Sequence, residues 1–166
     1  MTVQTSAVDA AITYLVAAAK TAFPDALVLD GPTVVVEQDA YQDMVAVGWD
    51  GVPGDLIEAV NGDQDWGPMT RAVVRNETFS IECCVKHWDG NGDIPAARAA
   101  ARQLLATFEG LMRGFGGNGT GDATLGGAVT FAGLNGGMQW FYETDEDGTA
   151  CRVVFHVTCF KRLTGS

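Results

Sequence analysis

The chain has 166 residues, 47% of them apolar and 19% charged, with 21 Asp and Glu against 10 Lys and Arg and a formal net charge of -11. That length is most simply one domain, able to bury roughly 70% of its unfolded surface, and the composition suits a packed core rather than a disordered chain. The acid excess argues against a protein that grips nucleic acid by its phosphates or docks on anionic lipid, since both need clustered Lys and Arg.

Ser6 and Asp9 resemble a capping box, with Asp in place of the usual Glu. Val8, Ile12, Leu15 and Ala19 then recur at helical spacing, and the helix should end near Phe23-Pro24 because proline disfavours helix in the residue before it. The short apolar run over 10–19 follows Asp9 rather than a basic segment, so it reads as this helix and not as a signal peptide. No stretch reaches the roughly 18 apolar residues of a membrane span. A short strand, Leu27 to Leu29, stops at Gly31-Pro32, and a second runs from Met44 to Trp49.

The charge is unevenly placed. No basic residue lies between Lys20 and Arg71, an interval holding ten acids, while the rest of the chain sets 11 acids against 10 bases. Residues 50–68, rich in Gly, Pro and acids, read as a long acidic excursion, and loops of that length in a compact domain are often functional. The excursion is either a solvated loop that keeps the protein soluble or a surface that must repel anions.

Arg71 to Trp88 alternates as a half-buried strand, with Phe79, Ile81, Cys83 and Val85 on one face and Ser80, Glu82, Cys84 and Lys86 on the other. Asp89-Gly90-Asn91-Gly92 breaks it. A second helix is predicted from about Pro95 to about Arg113, with the stripe Ala97, Ala101, Leu104 and Phe108 and with Arg98 and Arg102 four apart on another face. Seven glycines over 114–127 make a flexible connection, followed by a strand over Ala128 to Ala132. Asp147-Gly148 is a strong two-residue hairpin signal between Met138–Asp145 and Ala150–Leu163. With Glu146 opposite Thr149, the register pairs Glu143 with Arg152 and Phe141 with Val154. Met138, Trp140, Tyr142, Cys151, Val153, Phe155, Val157 and Cys159 then share a core face. Phe141 and Val154 are two apolar residues on the otherwise polar face, which implies coverage by another element or another subunit. The element order predicts an α+β fold, a mostly antiparallel sheet with two helices packed on one face, as a single domain over 1–166.

No motif assembles a catalytic site. Gly114-Phe-Gly-Gly-Asn-Gly119 matches G-x-G-x-x-G but follows a helix and precedes none, which is the wrong context for a phosphate cradle. Asn61-x-Asp63-x-Asp65 and Asp89-x-Asn91-x-Asp93 resemble the start of a calcium loop, yet their sixth positions hold Trp66 and Ile94 and their twelfth Ala72 and Ala100, which excludes an EF-hand. Cys83, Cys84, Cys151 and Cys159 lack zinc-site spacing and read as buried reduced thiols. His87 and His156 read as structural hydrogen-bonders; Cys84 and His87 face opposite ways on their strand. The expectation is a protein that is not an enzyme and needs no cofactor or metal.

Several stretches together carry a family likeness: Asp25-Ala-Leu-Val-Leu-Asp-Gly-Pro32, Val45-Ala-Val-Gly-Trp49, Phe79-Ser-Ile-Glu-Cys-Cys-Val85, the Ala/Arg-rich helix from Ala96 to Arg113, Thr124-Leu-Gly-Gly-Ala-Val129, and the hairpin ending Asp147-Gly-Thr-Ala-Cys-Arg-Val-Val-Phe155. With them the chain resembles the tail-terminator (tail-completion, head-to-tail joining) proteins of long-tailed bacteriophages, particularly the divergent forms of phages and prophages of high-GC actinobacteria. The resemblance implies a subunit of a homo-oligomeric, hexameric ring that caps the tail tube, ends tube polymerisation and meets head-closure or neck proteins. DNA would pass through the lumen without specific binding. The location implied is the virion's tail–neck junction after assembly in the bacterial cytoplasm. On that reading Phe141, Val154, Glu143 and Arg152 are candidate subunit-interface residues, and Asp55, Glu58, Asp63 and Asp65 are candidates for the lumen or its rim, where acids repel phosphate. Another tail or neck ring component (a tube or head-closure subunit) is the alternative within virion structure. From other classes come an acidic cation-binding module and a Cys-dependent enzyme.

Overall fold

The computed structural model describes residues 4–31, 41–51, 57–66, 74–113 and 121–164. In chain order they form α1 (Val8–Ala22), β1 (Leu27–Asp30), β2 (Asp43–Val47), β3 (Val60–Trp66), β4 (Val74–Asp89), α2 (Ile94–Gly110), β5 (Phe131–Leu134), β6 (Gln139–Asp145) and β7 (Gly148–Thr164). The fold is α+β. Two helices pack on one face of a seven-stranded sheet in which every pairing is antiparallel except β1 with β2.

Two long strands make its spine. β4 and β7 pair along their whole lengths, from Val74↔Thr164 to Asp89↔Thr149. Each spine strand has two shorter neighbours on its outer side: β3 and β2 on β4, and β5 and β6 on β7. The neighbours part at Glu82 and at His156, which are themselves cross-strand partners. Glu82 keeps its backbone bonds there through Ala59 and Trp49, each at 3.0 Å.

The alternation read in β4 decides the layers. Phe79, Ile81, Cys83 and Val85 join Val45 and Val47 of β2, Cys151, Val153, Phe155, Val157 and Cys159 of β7, and the buried sides of both helices in one core. α1 lies over β1 and β2, and α2 over β4 and β7. Both helices pack mainly on other strands than β6. Met138, Trp140 and Tyr142 therefore point to the same side as the β7 core residues but stay exposed, a correction to their predicted burial.

Helix α1 ends as expected, with the Phe23 N–H bonding the Ala19 carbonyl at 2.9 Å. Its start differs from a capping box. The N-cap is Ala7, and the carboxylate of Glu77 on β4 accepts from the Ala7 N–H at 2.7 Å and from the Ser6 hydroxyl at 2.5 Å. Helix α2 opens on Asp93, which accepts from the Ala96 N–H at 3.1 Å, with Pro95 in the first turn. Leu105, rather than Leu104, is the buried leucine of its stripe.

Three expectations need correction. β5 starts at Phe131, because residues before it form a turn fixed by Asp122, whose side chain accepts from the N–H groups of Thr124 and Gly126. The hairpin pairs Asp145 with Gly148, so the turn is Glu146-Asp147 and every cross-strand partner moves by two. An even shift keeps each side chain on its face. Finally, the 50–68 excursion is not loop throughout: residues 60–66 are strand β3, in register with Arg75–Ile81 of β4. Gly62 permits that pairing, since a Cβ there would stand 2.7 Å from the Phe79 Cβ.

Candidate functional site

The helix-free face of the sheet and the β6 edge hold most of the residues singled out in the sequence. On β2, β4 and β7 the even-numbered side chains point to this face, away from the helices. A second, smaller core forms on it from Met44, Ala46, Trp49, Cys84 and Val154, with Leu27, Leu29 and Ile57 packed against it. Val154 is only 2% exposed, so the coverage its hydrophobicity implies comes from within the chain and not from another subunit. Trp49 is the residue that sequence reasoning missed: Gly48, at φ 70°, turns the chain out of β2 and lets the indole fold back over the sheet.

Phe141 remains outward. In the observed register it lies opposite Arg152, while Glu143 lies opposite Ala150. The Glu143–Arg152 ion pair survives on the diagonal at 3.5 Å, and Lys86 joins it at 3.3 Å from Glu143. The Arg152 guanidinium lies between two rings, 5.2 Å from the Trp49 centroid and 4.9 Å from that of Phe141. Cation–π contacts of this kind contribute about 0.5–2 kcal/mol each, more as water is excluded. Phe141 thus caps an arginine of its own chain with one surface and offers the other to solvent.

Beside this group, at the hairpin end of the sheet, a cleft of about 550 Å³ opens on the helix-free face between β2 and β6. Tyr41, Met44 and Trp88 are its apolar surfaces; Lys86, Glu143, Asp145 and Asp147 supply its charges. All seven residues of β6 are exposed, Trp140, Phe141 and Tyr142 among them, as is Met138 just before the strand.

The acidic candidates divide. Asp55 lies outside the described residues, as does the Gly114–Gly119 motif. Glu58 is exposed and accepts a hydrogen bond from the Asn61 side chain at 2.7 Å. Asp63 and Asp65 are exposed on β3, pointing to the helix-free side. An extended strand cannot wrap Asn61, Asp63 and Asp65 around one cation as a loop would. In the second calcium-like triplet Asp89 and Asp93 are turned to backbone N–H groups of Asn91 and Ala96. Among the described residues no three His, Cys, Asp or Glu side chains gather as a metal site.

Both histidines have carboxylate partners, on opposite faces. His87 Nδ1 meets Asp43 Oδ1 at 2.6 Å on the helix side, and His156 Nε2 meets the Glu82 carboxylate on the other. All four cysteines are free and buried. Burial pushes Cys84 and Cys159 up to about 12 and Cys83 higher still, which keeps these thiols protonated at neutral pH and denies them thiolate reactivity.

Glu82 sits where the flanking strands part, 6% exposed. Burial raises its carboxyl above the ordinary range, and the opposing pull of His156 does not cancel this. Below the unfolded-state value of about 4.3 both states are protonated. Above it the folded state holds the proton longer, so this group makes stability fall as pH rises through its folded-state value. Glu82→Gln should therefore gain stability relative to the parent protein as pH goes from 4 to 7, read from urea midpoints. A relative stability that falls with pH would contradict the assignment.

No protein-family model matches the chain, and no curated protein sequence matches it.

Proposed function

We propose that the protein is a virion ring subunit of the tail-terminator kind: it assembles head to tail into a closed, hexameric ring, caps the tail tube, ends tube growth and joins the tail to the head or neck. The observation that carries this reading is β6, an edge strand that the described residues leave uncovered and that carries Trp140, Phe141 and Tyr142, with Met138 exposed just before it. An unpaired strand edge that bears exposed aromatic residues is a template for contact with another chain. The stretches that carry the family likeness also supply β1, β2, the centre of β4, α2 and the hairpin, the parts that build the sheet and one of its helices.

In the ring, Glu58, Asp63 and Asp65 lie toward the DNA path, where negative charge keeps phosphate from adsorbing and lets the genome pass without specific binding. The test is to polymerise the tube protein of the same virion with and without this chain. Tubes should stop short, with one added ring at an end in electron micrographs. Unchanged tube lengths would sink the reading, and long tubes of this chain alone would instead make it a tube subunit.

A further inference from the structure

The cleft on the helix-free face has a composition that its own chain leaves unsatisfied. Lys86 is paired with Glu143, whereas Asp145 and Asp147 have no ion-pair partner among the described residues. Glu143 is already met by Lys86 and Arg152, so Asp145 and Asp147 give the cleft its excess negative charge beside the rings of Tyr41 and Trp88. Aromatic faces next to carboxylates suit a guanidinium, which can stack on the first and bond the second.

The chain's own cations show where one could come from. Arg75 bonds the carbonyls of Gln4 and Thr5, Arg113 pairs with Glu109, Arg152 is held between rings, and Lys161 bonds the Gly127 carbonyl. Lys20, Arg98, Arg102 and Arg162 are exposed and have no ion-pair partner among the described residues, and of these Arg98 and Arg102 alone share one element. They stand one turn apart on α2, about 6 Å between Cβ atoms by helical geometry. Trp140 and Tyr142 are exposed on the same side of the sheet.

Position matters as much as charge. Helix α2 begins at Ile94, just after β4 ends at Asp89 opposite Thr149, so Arg98 in its second turn stands near the hairpin end of the sheet. The cleft is at that same end, on the opposite face. Two different patches, one in front and one behind, make a heterologous head-to-tail contact, which forms a ring where the rotation between copies closes.

We propose that Arg98 and Arg102 of one copy enter the cleft of the next, meeting Asp145 and Asp147 between Tyr41 and Trp88. This rests on the ring reading and names the surfaces that make the ring. Charge reversal tests it by sedimentation and light scattering of the whole protein. Arg98→Glu with Arg102→Glu, or Asp145→Arg with Asp147→Arg, should each reduce the assembly to monomers. An equimolar mixture of the two variants should restore it, because each carries the complement of the other. Arg98→Lys with Arg102→Lys should weaken assembly less than the reversal does, and circular dichroism should show every variant folded. Rings that survive either reversal, or folded variants whose mixture stays monomeric, would overturn the contact while leaving the ring reading standing. A parent protein that stays monomeric at its solubility limit would also overturn it, whereas failure of the ring reading itself is read separately, in tube lengths.

Discussion

Glu77→Ala is expected to cost about 3 kcal/mol and to loosen the whole entry into α1. The Glu77 carboxylate is 4% exposed and accepts from the Ala7 N–H, the Ser6 hydroxyl and the Gln64 side chain, the last at 2.9 Å. Gln64 and Arg75 also donate to the Thr5 carbonyl, at 2.8 and 2.7 Å, so β3 and β4 together clamp the residues leading into the helix. Removing the carboxylate strands a fully buried Ala7 N–H and takes an anion from the positive end of the helix. The first loss costs about 1–3 kcal/mol and the second about 0.3–1. For a chain of this length the sum should lower Tm by roughly 6–12 °C. Glu77→Gln should fall between, since it keeps one acceptor oxygen but points an amide N–H at donors. A loss under about 1 kcal/mol for the alanine variant would show that the clamp is not what seats α1.

The same group sets part of the acid limit. Burial raises the Glu77 carboxyl, but the bonds from Ser6, Ala7 and Gln64 and the nearby Arg75 charge outweigh it and hold the group below its ordinary value. Its contribution is therefore complete above the unfolded-state value of about 4.3 and is lost as pH falls through the lower folded-state value. Glu82 acts with the opposite sign, so the two single variants should tilt the pH profile in opposite directions.

What could be read from the residues alone, and what could not, follows from where each signal originates. The alternation in β4 and β7 is legible because helices cover one face of both strands continuously, and that one-sided burial writes itself into every second residue. The observed hairpin register differs by two from the one Asp147-Gly148 predicts because Gly148 is a glycine for a tertiary reason. It is the first residue of β7, at φ 152°, and a Cβ there would run into the Asp89 carbonyl and the Trp88 ring at the end of β4. Gly62 misleads in the same way, reading as loop when it marks a close strand approach. β3 shows no apolar alternation because its outer side meets no core, so only its pairing partner identifies it. The Glu77 cap spans seventy residues of sequence and leaves no local pattern. Of the interface candidates, Phe141 was legible as an anomaly on a polar face. Val154 carried the same signal, but Trp49, whose fold-back no periodicity encodes, accounts for it.

Phe155→Ala should be the most damaging of the single core substitutions considered, about 4 kcal/mol. Phe155 is 1% exposed and meets Phe108 of α2 edge to face, ring centroids 5.1 Å apart at 69°. It occupies the stretch of β7 where the outer neighbours part: β6 pairs only as far as Val154, and β5 begins at Val157. A surface pocket of about 190 Å³ opens there, lined by Leu105, Glu109, Leu134, Asn135, Met138 and Phe155 among others. Truncation removes a fully buried aromatic ring and its edge-to-face partner contact, which places the cost within the upper part of the usual range. Phe108→Ala should cost nearly as much, and a double-mutant cycle should return a coupling of about 0.5–1.5 kcal/mol for the ring pair. Additive losses would mean that the two rings only fill space. Coupled losses would mean that the ring contact itself seats α2 on the spine.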